Sequence, residues 1–185
     1  MKYLKLAILA FVAVSLFGCA SGARIEKMAY TGSVAEKKEF DSSLKKAIDV
    51  EDSFGGQETN PAWTSEISNT AFTNAVIRSL SSFGLHSDNG KYKLAIYMIK
   101  VDQPIFGLDM TVTTHTRYIL TDSETKSVVL DETIVAPYTA TVGDAFMGFE
   151  RLKLANEGSG KENIKGLIQK LFELKIKPQE VSVLN

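Results

Sequence analysis

Apolar and polar residues follow one another along this 185-residue chain in three different rhythms. Residues 6–17, LAILAFVAVSLF, are apolar without interruption except at Ser15, and the preceding MKYLK carries Lys2 and Lys5 with no acid. A basic start, a short apolar core and the small residue Gly18 make an export signal. The run of about 12 residues falls short of the roughly 20 that a helix needs to cross hydrocarbon. It also lacks the one-sided stripe of a buried amphipathic helix. Residues 1–18 are therefore predicted to be a signal segment.

The second rhythm has a period of three to four. Trp63, Ile67, Ala71, Phe72, Ala75, Val76 and Leu80 share one face of a predicted helix. Asn60 can cap it with Pro61 at the first helical position, where a missing N–H does no harm. Gly84 suits a left-handed C′ position, with Leu85 folding back on Leu80. A second helix is predicted from the Thr141–Asp144 spacing, which resembles a capping box, and carries Phe146 and Phe149 in its stripe. EGSGKEN, residues 157–163, is predicted to break it near Gly158 and Gly160. Ile164, Leu167, Ile168, Leu171 and Phe172 then resume the stripe as far as Pro178.

The third rhythm alternates. Residues 44–54 read as a first strand ended by Gly55 and Gly56. Residues 92–101, 108–120 and 127–136 read as an antiparallel meander, because their connections are too short for parallel crossovers. In the second of these, Met110, Val112, Tyr118 and Leu120 face a core, and Asp109, Thr111, Thr113, His115 and Arg117 face solvent. The order β-α-β-β-β-α predicts an α+β fold, a four-stranded mainly antiparallel sheet with two helices on one face. The strand at 92–101 is unusual in being apolar on both sides. Ala95, Tyr97, Ile99 and Val101 lie opposite the helix-packed face and form a candidate partner patch. Alternatively, the N-terminal segment with Ile25, Met28 and Tyr30 folds across them.

The one cysteine changes the picture. In LFGC, residues 16–19, it closes the export signal, and this resembles a bacterial lipobox with Leu16 and Gly18 at the aliphatic and small positions. Phe17 departs from the usual residue there. The resemblance implies that Cys19 carries diacylglycerol, that the signal is cut before it, and that the new amino group is acylated. Several acyl chains anchor a domain where one would not. Cys19 is thus expected to be an anchor to the lipid bilayer. Ala20 and Ser21 follow, and the absence of aspartate at the second position implies sorting to the outer membrane. The expected organisation is a lipidated N-terminus and tether at 19–43, a single domain at 44–178, and a tail at 179–185. Twenty extended residues reach about 65 Å.

Composition adds exclusions. Without Lys2 and Lys5 the 21 basic residues become 19 against 22 acids, a net charge near −3, which argues against nucleic acid. No second cysteine exists for a disulfide, so the core must hold the fold. With Cys19 acylated, His86 and His115 make no zinc cluster, and EDSFGGQE lacks the order of a calcium loop. EGSGKE lacks the glycine and Ser or Thr positions of a phosphate loop, and no G-x-S-x-G elbow is present. Asp109 and His115 are about 20 Å apart along a strand, out of reach of each other. No cofactor, metal or catalytic residue is expected.

The element order behind a lipobox is similar to that of small outer-membrane lipoproteins. It resembles the lipopolysaccharide-assembly lipoprotein and the auxiliary lipoproteins of envelope lipid transport. The resemblance implies a non-enzymatic, periplasm-facing accessory with an envelope protein partner. The alternative is a small periplasmic hydrolase without a recognisable motif.

Overall fold

The structure, a computed structural model, describes residues 21–32, 39–59 and 65–176. Cys19, the signal segment, Asn60, Pro61, Trp63 and the tail lie outside the described residues. The elements are a helical turn α1 (Ile25–Met28), a 3-10 turn (Ser42–Leu44), β1 (Ile48–Phe54), α2 (Asn69–Ser82), β2 (Tyr92–Asp102), β3 (Met110–Asp122), β4 (Val128–Ala140) and α3 (Gly148–Glu173). The sheet order is β1-β2-β3-β4, with β1 parallel to β2 and the other two pairings antiparallel. The α+β class and the order of its main elements match the sequence expectation.

Element ends differ in informative ways. β1 starts at Ile48 rather than Leu44, because Asp41 accepts from Ser43 N at 3.0 Å and winds residues 42–44 into a turn that buries Leu44. α2 starts at Asn69, capped by Ser68, whose side chain accepts from Ala71 N at 3.3 Å. Ile67 is core, but it reaches the core from the loop before the helix, where its carbonyl accepts from Gln57 N. The far end follows the sequence closely. Gly84 has φ +70°, its N–H bonds Ser81 O at 3.0 Å, and Leu85 N bonds Leu80 O at 2.9 Å. That is a complete Schellman ending.

The helices cover one face of the sheet. Tyr92, Leu94 and Ile96 of β2 and Tyr118 and Leu120 of β3 pack with Phe72 and Leu80 of α2 and Ile164, Leu167 and Leu171 of α3. A smaller cluster joins Met110, Val112 and Ala140 to Leu152 and Ala155 at the start of α3.

Two expectations are corrected here. The break near Gly158 and Gly160 does not occur: α3 runs through it as one 26-residue helix. The glycines serve close approach instead. A Cβ at Gly158 would lie 2.2 Å from the Tyr138 ring, and one at Gly160 would lie 2.9 Å from the Met28 sulfur. Between them Ser159 is buried, donating to Ala136 O at 2.7 Å and accepting from Thr114 N at 3.0 Å. The Thr141–Asp144 bond does form, at 2.7 Å from Thr141 N to Asp144 Oδ2, but it closes an isolated turn. The helix begins at Gly148, and Phe146 stands outside it in solvent.

The tether expectation is corrected too. Residues 21–30 lie on the body: Ala23, Met28 and Ala29 are buried, and Tyr30 N donates to Ser79 Oγ at 2.9 Å. α1 packs against both α2 and α3, on the helical side. It does not cover the opposite sheet face.

Candidate functional site

The uncovered sheet face carries the predicted patch in altered form. In β2, Tyr97 and Ile99 are exposed at 41% and 60%, and Ala95 is half-buried beside them. A bulge between Met98 and Lys100 adds one residue to β2 relative to β3. An extra residue inverts the alternation beyond it. Val101 therefore turns to the helical side and packs against both core clusters. It leaves the patch.

Pairing supplies a replacement that alternation within one strand did not indicate. Phe54 ends β1 opposite Tyr97, and the rings stack with centroids 5.8 Å apart at 21°. Phe54 is 56% exposed. Gly55 turns the chain away immediately afterwards at φ +88°, where a Cβ would strike Met98 O. Val135 of β4 is also exposed, but His115 of β3 lies in register between it and β2. The signal in the sequence was present for Phe54, an aromatic at a strand end. Its neighbour was fixed only by the parallel pairing of β1 with β2.

Charge surrounds this apolar strip as closed pairs. Arg117 holds Asp131 through two hydrogen bonds of 2.7 and 2.6 Å. Those bonds keep the Asp131 carboxyl below the ordinary carboxylate range and raise the guanidinium. Asp102 takes Lys100 at 2.6 Å and His115 at 3.2 Å. The Lys100 hydrogen bond is the main cause of its lowered pKa. His115 thus has a carboxylate partner, Asp102, while Asp109 is engaged elsewhere, accepting from Val142 N at 3.3 Å. The arrangement is a solvated ion-pair cluster.

Inside the molecule, a polar seam joins α3 to the sheet. Tyr118 donates to Asn163 Oδ1 at 2.7 Å, and Asn163 Nδ2 donates to Ile134 O at 3.0 Å and Thr114 Oγ1 at 3.1 Å. Burial pushes the Tyr118 phenol well above its ordinary range. These groups are satisfied by one another, as buried polar atoms must be, and they set helix register rather than offer chemistry. Among the described residues no group of three or more His, Cys, Asp or Glu side chains is placed to hold a metal ion, and no helix is long and apolar enough to cross a membrane.

No family model and no curated protein matches the sequence. Solved structures do share the fold. Protein XCC0632 from Xanthomonas campestris, of the DUF330 family, superposes with TM-score 0.55 at 13% identity, over 72% of this chain and 89% of that one. Protein CT253 from Chlamydia trachomatis gives TM-score 0.49 at 11% identity, over 70% and 97%. A minor lipoprotein from Acinetobacter baumannii gives TM-score 0.47 at 7% identity, over 70% and 94%. At such identity the likeness to XCC0632 is one of fold.

Proposed function

We propose that this protein is a lipid-anchored envelope protein, held at the outer membrane and facing the periplasm. Its domain works without catalysis, as an accessory in outer-membrane assembly or lipid transport, through contacts with a protein partner or with lipid. One observation carries the reading: the LFGC sequence at 16–19, set behind a basic and apolar leader in a chain with no other cysteine. An exported lone thiol has no disulfide partner, whereas acylation gives it a use. The exposed apolar side chains of Phe54, Tyr97 and Ile99 support a binding role, since exposed apolar patches mark interaction sites.

The test is metabolic labelling with a palmitate analogue in a Gram-negative host. The wild-type chain is expected to take label and to fractionate with the outer membrane. Cys19→Ala is expected to take none and to accumulate uncut, because cleavage in lipoproteins follows modification of the thiol. Label retained by Cys19→Ala overturns the anchor. A labelled protein found in the inner membrane overturns the outer-membrane placement alone.

A further inference from the structure

One end of the molecule is apolar in a way the core does not require. The β2–β3 connection, residues 103–109, exposes Ile105, Phe106 and Leu108, with Phe106 at 86%. The β4–α3 connection, residues 141–147, exposes Val142, Phe146 and Met147, with Phe146 at 87%. Hydrogen bonds tie the two loops together. The buried Arg151 guanidinium donates to Phe146 O at 2.6 Å, to Ala145 O at 2.9 Å and to Gly107 O at 3.4 Å. Asp109 accepts from Val142 N, and Asp144 accepts from Thr141 N. Both acids within the loops are thus bonded to backbone N–H groups. Two loops are held in fixed conformations with their largest apolar side chains in water.

The chain enters the domain at the same end. Ser65 Oγ donates to Ser21 O at 2.8 Å, and Lys153 Nζ, on the second turn of α3, donates to Ser21 Oγ at 2.6 Å. Asn156 Nδ2 holds Ser65 O at 2.7 Å, and Gln103, the first residue of the β2–β3 connection, bridges Glu66 at 2.8 Å and Asn156 at 3.0 Å. Ser21 is therefore fixed to the cluster from which the apolar loops project. Cys19 is two residues upstream, and two residues span at most about 7 Å. An acyl chain on Cys19 must start close beside that end.

We infer that the loop pair 103–109 and 141–147 docks into the lipid bilayer beside the acylated cysteine, setting a fixed orientation of the domain on the membrane. This rests on the lipid-anchor reading above. The occupant is a lipid surface because the segment docked from Ser21 onward brings acyl chains on Cys19 to this end whatever else binds. Ile105, Phe106, Leu108, Phe146 and Met147 suit insertion, while the two carboxylates of the loops, Asp109 and Asp144, stay charged and bonded to backbone N–H groups at the interface. The β3–β4 turn, at the other end of a 13-residue strand, stands about 40 Å away.

The experiment uses the full, lipidated chain reconstituted into phosphatidylethanolamine vesicles containing brominated phosphatidylcholine. With Cys19 acylated, Phe106→Cys, Phe146→Cys and Glu124→Cys each introduce one free thiol for an environment-sensitive fluorophore. Labels at 106 and 146 are expected to shift to the blue and to be quenched by the brominated chains, and the label at 124 to do neither. A vesicle-bound protein whose labels at 106 and 146 stay as wet as that at 124 overturns the docking and leaves the anchor standing. A blue shift without bromine quenching also overturns it, because protein then covers the loops. Failure of the chain to float with vesicles overturns the anchor and, with it, the docking. Melting of each variant before reconstitution confirms that it is folded.

Discussion

Glu157 sits in the middle of α3 with its side chain 4% exposed, and Arg24 is what makes that tolerable. The guanidinium donates to Oε1 at 2.7 Å and Oε2 at 3.1 Å, and Arg24 N adds a third bond at 3.1 Å. These bonds raise the Arg24 pKa, hydrogen bonding to Glu157 being the main cause. They also span 133 positions of sequence, so the pair fastens the entering chain to the last helix. Breaking a buried pair from one side leaves a charge without its partner, which costs about 3–5 kcal/mol when burial is complete. Arg24 is 43% exposed, so water reaches the pair and a value of about 2–3 kcal/mol is the better expectation for Arg24→Ala. Glu157→Gln keeps the volume and one acceptor and should cost about 1 kcal/mol. At a few degrees per kcal/mol for a domain of this size, thermal melting should fall by about 5–10 °C in the first and by about 2–4 °C in the second. Equal shifts would mean that the ion pair does not hold the segment. Nothing local in the sequence marks this pair; it exists because α1 lies across α3.

At the scale of an element, α3 shows how glycine can mislead. EGSGKEN reads as a break because glycine is the poorest ordinary helix former after proline, at about 1 kcal/mol per residue relative to alanine. The packing outweighs that cost. Gly158, Gly160 and Gly166 bring the helix down onto Tyr138, Met28 and Ile134, and Ser159 and Asn163 bond the sheet backbone beneath. The intact apolar stripe from Ile164 to Leu171 was legible, since its period comes from the helix itself. The reason for the small residues was not, since it lies on other elements. Gly158→Ala sets the two effects against each other. Propensity favours alanine by about 1 kcal/mol, but the new methyl would overlap the Tyr138 ring near its base, and overpacking costs about 1–3 kcal/mol. Net destabilisation of up to about 2 kcal/mol is expected. Combining it with Tyr138→Ala removes the obstacle, so in that background Gly158→Ala should become stabilising. A Gly158→Ala protein that melts higher with Tyr138 in place would show that the ring simply swings aside.

For the molecule as a whole, the helices divide the sheet into a covered face and an open one, and the open face is where function is expected. The double-sided apolar pattern of β2 made that face visible from sequence, through Tyr97 and Ile99. The bulge that withdraws Val101 left no mark in the alternation, and Phe54 joins only because β1 pairs with β2 as it does. The nearby ion pairs, Arg117–Asp131 among them, frame the strip without entering the core. A combined Tyr97→Thr and Ile99→Thr change keeps β-propensity while removing most of the exposed apolar surface. Exposed substitutions usually alter stability by no more than about 0.5 kcal/mol each, and loss of the Phe54 stack adds a similar amount. The melting temperature should therefore fall by only a few degrees. Aromatic and aliphatic side chains at the centre of an interface carry most of its energy, so capture of a partner from solubilised envelope should drop severely. Marked unfolding of the double variant would place these residues in a core and contradict the open face. A variant that melts normally and still captures every partner would leave the strip without a binding role, and the apolar loop end as the molecule's remaining contact surface.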